Sequence, residues 1–316
     1  MKVNRRAVLG GIGGGFLATA FLRELGATQA WASAPGPGVK VGMCDWNLPN
    51  GTCNPEAIPT AKEAGLGGIQ VSVGTDPKNI PLRDPAVRKK YLDLGREHGI
   101  QFCSTAAGGI LNSIPLATEP QSAIYVLDAV EVAKALGASC ILMAFFGNGD
   151  LLLRDSTGER RNISKDPQWK LWELDSQKVT RVVEYLRQVV PRAEDAGVIL
   201  GLENTISATQ NLEIIDRVGS PMLQVYYDVG NSTANGYDVP GEIRLLGKDR
   251  ICEVHLKDYG TPILGSSGAK VDMAACAKVF KEIGYNKWYV LETSGRKNQF
   301  IPDTQANVEF TKKTFA

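Results

Sequence analysis

"AEDAGVILGLEN" (residues 193–204) reads in three steps. A helical stretch stops at Gly197, a short apolar run follows, and Glu203 and Asn204 close it. A glycine just past a helix supplies the left-handed residue that ends it. An almost uninterrupted apolar run is what a strand buried on both faces of a parallel sheet shows. The layout recurs in "AKEAGLGGIQVSVG" (61–74), "GREHGIQFCSTAAGG" (95–109), "AKALGASCILMAFFG" (133–147) and "DRVGSPMLQVYYDVGN" (216–231). It returns twice more in "RLLGKDRICEVHLKD" (244–258) and "KEIGYNKWYVLETSG" (281–295), while "VKVGMCDWNL" (39–48) adds a strand before the first helix. Eight strands alternating with helices over roughly 280 residues predict an α/β chain closed as a single (β/α)8 TIM barrel. An open doubly wound sheet would need a phosphate-binding glycine turn after an early strand. The only such run, "GGIGGG" (10–15), lies ahead of every predicted strand.

The first 34 residues stand apart. "MKVNRRAVLGGIGGGFLATAF" (1–21) has a basic start followed by a weakly apolar, glycine-rich run, and "AWASA" (30–34) supplies small residues for cleavage. This is the layout of an export signal. Arg5-Arg6 points to the twin-arginine route, although Asn4 and Val8 depart from the commoner motif. The expectation is a signal over 1–34, a barrel over 35–316 and a periplasmic protein. Cleavage falls after Ala32 or Ala34, with Pro35 disfavouring the second. An uncleaved anchor is the alternative, but the run is short and broken by glycines.

Removing residues 1–32 leaves 31 basic and 33 acidic side chains. So balanced a chain makes no electrostatic case for nucleic acid or an anionic membrane. No later stretch is long and apolar enough to span a bilayer. The six cysteines form no CxxC pair, and four lie in apolar strand-like runs, where cysteine behaves as a small buried hydrophobe. Cys44 and Cys53 are the nearest candidates for a disulfide; free thiols are the expectation. One insertion, residues 147–176, separates the fourth strand from its helix, far longer than the ordinary connection. It is either a lid over the barrel mouth or a surface loop. A homo-oligomer is left open.

In a barrel of this kind, chemistry sits at the C-terminal ends of the strands. The fifth to eighth strands end in Glu203, Asp228, His255 and Glu292. Each follows an apolar run, where a lone charge is costly to bury. Singly, a strand-end carboxylate serves as well for a salt bridge or a helix cap. Together on four consecutive strands, three carboxylates and one imidazole make an oxygen-rich site for one divalent metal. Mn2+ suits it best, with Mg2+, Co2+ or Zn2+ as alternatives. No cysteine falls at these rim positions, as a structural zinc site would favour.

"GLEN" (201–204), "YYDVGN" (226–231), "HLKD" (255–258) and "VLETSG" (290–295) resemble the sugar phosphate isomerase/epimerase superfamily, the xylose-isomerase-like, AP-endonuclease-2-like TIM barrels. The resemblance covers nearly all of residues 38–316, and "LGSSGAKVDM" (264–273) is similar to a degraded form of the turn after the family's seventh strand. It implies that the four matching positions bind one divalent ion and that Glu203 and Glu292 also transfer protons. The chain departs from the family pattern at Asn231, where a histidine is common, at Gln70, where the second strand often ends in glutamate, and at Ser104 and Thr105. The family's DNA-repair endonucleases need several zinc ions and many histidines. This chain has only His98 and His255, and His98 reads as structural.

The implied reaction is isomerisation or epimerisation of a free sugar or sugar derivative through an enediolate. A lyase or dehydratase acting on a keto-sugar or keto-glycoside is the runner-up, and a non-enzymatic sugar-binding protein the third reading. Lys257 would bind substrate or an oxyanion, or else pair with Asp258 or Glu253. Asn204, Asn231, Trp46 and Arg296 are further substrate-binding candidates, with Phe145 and Phe146 at the same mouth. Glu253 shares its strand face with His255 and should lie deeper in the barrel.

Overall fold

The computed structural model describes residues 38–316. The expected export signal over 1–34 lies outside the described residues. Eight strands follow one another: β1 (Lys40–Cys44), β2 (Gly68–Ser72), β3 (Gln101–Ala106), β4 (Cys140–Phe145), β5 (Ile199–Asn204), β6 (Leu223–Asp228), β7 (Ile251–Leu256) and β8 (Trp288–Leu291). Each pairs in parallel with the next, and β1 pairs with β8 from Lys40↔Trp288 to Met43↔Leu291. The expected closed barrel is the observed one.

Ten helices accompany them: α1 (Ile58–Glu63), α2 (Pro85–His98), α3 (Gly108–Ser113), α4 (Ala123–Leu136), α5 (Ser176–Ala196), α6 (Ala208–Val218), α7 (Val229–Ala234), α8 (Val239–Arg250), α9 (Met273–Glu282) and α10 (Phe300–Thr314). The stop signals hold. Gly99, Gly137, Gly197 and Gly219 close α2, α4, α5 and α6 in the left-handed conformation that a side chain would strain. The starts are equally local. Asp84, Asp175, Asp238 and Asp272 accept backbone N–H groups of the helices they open, and Ser207 with Gln210 forms a capping box on α6. On α5 the buried residues Val179, Val182, Val183, Leu186, Val189, Val190 and Ala193 recur at helical spacing and form one face. No described helix is long and apolar enough to cross a membrane.

Two separate clusters of buried side chains make the core. The larger holds most of the buried aliphatic residues, from Val41 through the α5 face to Phe315. The smaller draws Cys44, Cys103, Cys140, Leu142, Ala144, Tyr226, Cys252 and Val290 from six of the barrel strands. All six cysteines are free thiols, so Cys44 and Cys53 are not bridged. Small residues let the strands approach closely: a β-carbon on Gly201 would stand 2.7 Å from both the Ile141 carbonyl oxygen and Cys252 Sγ. The ladder shifts register twice, between Ile69 and Gln70 and between Val225 and Tyr226. Such irregularities re-aim a side chain, and both fall beside residues that contact His255.

Two helices go beyond one per strand. Both α3 and α7 follow their strands directly. The insertion is folded. Antiparallel bridges Leu152↔Leu174, Arg154↔Arg160 and Asn162↔Trp172 make a small ribbon. Buried Asp150 ties it down, accepting from Arg154, Arg160 and Thr205 Oγ1. The ribbon also grips the end of α7: Arg160 donates to Asn235 Oδ1 and Trp172 Nε1 to the Asn235 carbonyl. It is therefore docked beside the elements that carry Asp228 and Asn231.

Candidate active site and metal centre

The ends of β5 to β8 place their four polar residues together. Barrel register sets Asp228 beside His255, and the Glu292 backbone N–H extends the pairing onto the Leu256 carbonyl at 3.0 Å. His255 Nδ1 lies 3.3 Å from Glu203 Oε1, 3.5 Å from Glu292 Oε2 and 3.7 Å from Asp228 Oδ2. One donor atom from each of the four lies within 4.8 Å of all the others. His255, Glu203 and Asp228 are buried, and Glu292 is partly exposed.

Asp228 serves two ends. Its Oδ1 caps α7 by accepting from the Asn231 N–H at 2.8 Å. Its Oδ2 is buried, receives no aligned hydrogen bond, and lies 2.8 Å from Lys257 Nζ. The helix-cap and metal-ligand readings are thus compatible, one for each oxygen. Lys257 also donates to Glu292 Oε2 at 2.7 Å. The alternative of a pairing with Asp258 is not the one seen: Asp258 accepts the backbone N–H groups of Gly260, Lys270 and Val271. Loop turns claim Asp258, which leaves Lys257 to the cluster.

Electrostatics follow from this crowding. Burial pushes the Glu203 carboxyl above the ordinary carboxylate range, against the pull of His255. Burial would raise Asp228 too, but the Lys257 ammonium and His255 outweigh it and hold its carboxyl below the usual range. Burial would lower His255, yet Cys44 and the Asp228 and Glu203 carboxylates raise it well above its ordinary value. Burial would likewise lower Lys257; Asp228 and Glu292 reverse that. Three carboxylates and one imidazole facing one point, with Asp228 Oδ2 met only by the Lys257 ammonium and the imidazole, fit a hard divalent cation.

The other candidates divide. Trp46 stands at the mouth, 36 % exposed, with Nε1 donating to Glu292 Oε1 at 3.3 Å. Asn231 Nδ2 donates to Glu203 Oε1 at 3.4 Å. Asn204 and Asn211 instead exchange amide hydrogen bonds, at 2.7 and 3.2 Å. Arg296 is engaged elsewhere: its guanidinium and backbone N–H both go to buried Asp303 on α10. Phe145 is core, and Phe146 packs partly buried against the smaller cluster. His98 ends α2, as a structural residue should. Glu253 does lie deeper: it is fully buried and accepts from Tyr226 Oη, and burial pushes its carboxyl up to about 7.

Sequence reasoning noted Gln70 only as a departure from the family pattern and Cys44 only as a disulfide candidate, and it passed over Asp45. Asp45 ends the first strand as Glu203 ends the fifth, so the same strand-end rule would have found it. It is buried and accepts from Ser72 Oγ and from the Ser72 and Cys53 N–H groups, which fixes the turn carrying Trp46. Burial pushes its carboxyl up to about 6.

The description "xylose isomerase-like TIM barrel" matches residues 58–314. The chain belongs to the xylose isomerase-like TIM barrel family. A 2-epi-5-epi-valiolone 7-phosphate 2-epimerase from Actinoplanes sp. is 28% identical over 233 residues, 72% of this chain and 75% of that protein. A putative L-ribulose-5-phosphate 3-epimerase from Escherichia coli (strain K12) is 26% identical, over 75% of this chain and 82% of its own. Among solved structures, D-allulose 3-epimerase from Methylomonas sp. superposes with a TM-score of 0.65 at 17% identity, covering 88% of this chain and 98% of that one. The 3-keto-D-glucoside 4-epimerase from E. coli gives 0.66 at 13% identity, over 87% and 99%. At these identities the structures establish the fold. Within the xylose isomerase-like barrels this chain is an enzyme of the isomerase/epimerase type.

Proposed function

We propose that the protein is a divalent-metal-dependent epimerase or isomerase of an unphosphorylated sugar or sugar derivative, working through an enediolate. The convergence of Glu203, Asp228, His255 and Glu292 within 4.8 Å carries this reading. These four residues would hold the ion, and Mn2+ suits their oxygen-rich set best, with Mg2+, Co2+ or Zn2+ as alternatives. When bound, the ion supplies a Lewis acid that stabilises negative charge on neighbouring substrate oxygens. Glu203, made more basic by its burial, takes the carbon-bound proton. Glu203 itself returns that proton, or Glu292, held by Lys257 and Trp46, delivers one it has first taken from solvent, with Glu203 then releasing its own to solvent. Return to the other face of the same carbon epimerises; return to the adjacent carbon isomerises. Lys257 is placed to hold an oxygen on which negative charge grows.

The pocket beside Glu292 supports a substrate without phosphate. It is about 310 Å3 in volume, lined by residues 258–262 and 292–294, with no lysine or arginine among them. Arg296, the next cation along the chain, is bound to Asp303. Residues 1–34 would deliver the protein to the periplasm by the twin-arginine route, where free sugars are the expected substrates. Loss of export in an Arg5→Lys, Arg6→Lys variant, read by cell fractionation, tests that placement.

The test of the chemistry is solvent exchange. Ketohexoses and 3-keto-glycosides are incubated with the Mn2+-loaded protein in D2O, and NMR reads deuterium at the carbon beside the carbonyl. Exchange should occur with the native protein and vanish in Glu203→Gln and Glu292→Gln. Elimination of an aglycone or water in place of exchange would move the protein to the lyases. Metal content unchanged in Glu203→Gln, Asp228→Asn and Glu292→Gln would remove the metal from the mechanism.

A further inference from the structure

Beneath the carboxylates, His255 presents its second ring nitrogen to a fully buried amide. Gln70 Oε1 lies 2.9 Å from His255 Nε2 and also accepts from Cys44 Sγ at 3.2 Å. Cys44 Sγ is 3.4 Å from the same ring nitrogen. The rings of Tyr226 and Trp46 stand edge-on to the imidazole, with centroids at 4.6 and 6.1 Å. Gln70 itself sits in β2 opposite Ser104, where the β2–β3 ladder changes register by one residue of β3.

An ion bound at Nδ1 would displace the proton there and leave a neutral imidazole with a single N–H. For Nδ1 to turn a lone pair toward Glu203, Asp228 and Glu292, the proton must reside on Nε2 and find an acceptor there. Cys44 offers a thiol hydrogen, already directed at Gln70. The Gln70 carbonyl oxygen is therefore the acceptor on which both donors converge. The rotated amide would set its NH2 group against an N–H and an S–H. The buried Gln70 Nε2 has no hydrogen-bond partner. The amide orientation is thus fixed by what its oxygen receives and not by its own donors.

We propose that Gln70 is a positioning residue: its carbonyl oxygen holds the His255 proton on Nε2 and so keeps the Nδ1 lone pair aimed at the carboxylate cluster. This rests on the metal-site reading above. Partners of this kind behind a ligating histidine are worth about 10–100-fold in metal affinity. The sequence supplies a convenient probe, because the chain has only two histidines.

The experiment uses the full chain labelled with 15N-histidine and titrated with Zn2+, which is diamagnetic. His98 is the internal reference, assigned with a His98→Gln variant. Gln70→Met keeps the length and removes the acceptor; Gln70→Glu keeps an acceptor. In the native protein, Zn2+ should shift Nδ1 of His255 and leave a slowly exchanging Nε2–H. Gln70→Met should speed exchange of that proton and raise the zinc dissociation constant about 10–100-fold. Gln70→Glu should retain both properties, and this comparison stands even where Gln70→Met does not fold. Native-like exchange and zinc affinity in Gln70→Met would overturn the inference while leaving the metal site intact. So would a Gln70→Glu variant that binds zinc as poorly as Gln70→Met. Native His255 nitrogens that ignore Zn2+ would remove the metal site, and this inference with it.

Discussion

Replacing Lys257 with methionine separates two roles that the site combines. The ammonium touches Asp228 Oδ2 at 2.8 Å and Glu292 Oε2 at 2.7 Å, beside a third carboxylate, Glu203. Without it, His255 alone faces three acids, one of them fully buried Asp228. Breaking a buried ion pair by removing one partner costs about 3–5 kcal/mol. The low end applies, because the Lys257 and Glu292 side chains are 25% and 21% exposed and solvent screens part of the loss. About 3 kcal/mol lowers the melting temperature of a domain this large by about 5 °C. The divalent ion should reverse the loss, since it neutralises the same oxygens. With no ammonium to compete for those oxygens, the variant binds the ion more tightly than the native protein does, and each tenfold difference in dissociation constant closes the gap by about 1.4 kcal/mol. The assay is calorimetry of native and Lys257→Met protein in chelator and again in Mn2+. The expected outcome is a large gap in chelator that narrows with metal. A variant that melts with the native protein in chelator, whatever its activity, would refute this account and leave Lys257 a substrate contact only.

Three further outcomes are expected. Burial pushes the Glu242 carboxyl up to about 7 against the hydrogen bonds from Ala208 N–H and Tyr227 Oη, so the folded state holds a proton that the unfolded chain releases near pH 4.5. Stability should fall by about 3 kcal/mol as pH rises from 4.5 to 7 on this group's account, and denaturant unfolding of Glu242→Gln across that window should show a correspondingly shallower slope. Asp150→Ala strips the acceptor from Arg154, Arg160 and Thr205, a local loss of about 3 kcal/mol, and should make trypsin cut the ribbon at residues 154–161 well before the barrel. Gly201→Ala drives a β-carbon to 2.7 Å from the Ile141 carbonyl oxygen, which the sheet holds in place, and should cost about 1–3 kcal/mol by denaturant midpoint.

The architecture was legible because its signals are local. A glycine that closes a helix and an apolar run that follows need no distant partner to be read, and Gly197 followed by Ile199–Asn204 behaves in the barrel as it does on the page. The four donors were legible for a related reason: strand ends in a closed barrel share one rim, so four charged endings on consecutive strands must meet. What the sequence hid depends on who stands across the barrel. Gln70 and His255 are 185 residues apart, and only closure of the barrel brings them to 2.9 Å. Arg296 failed as a site residue because Asp303, seven residues on, opens the last helix and binds it first. A flexible cation goes to the nearest buried acid, and the sequence does not say which acid is buried.

The same competition explains why this site keeps so much negative charge. Most buried acids among the described residues are satisfied by groups that never leave: Asp45 by backbone and Ser72, Asp150 by two arginines and Thr205, Glu242 by a helix N–H and a tyrosine. Glu203, Asp228 and Glu292 are different. Apart from the Asn231 N–H on Asp228 Oδ1, their partners are a histidine, one lysine and weak amide and indole contacts at 3.3–3.4 Å. Fixed donors would have made the carboxylates inert structural groups. Leaving them to one another and to a single mobile ammonium keeps them available to a cation and to a substrate proton. The cost of holding them together is met by the rigid strands of the barrel, whose register does not depend on the site.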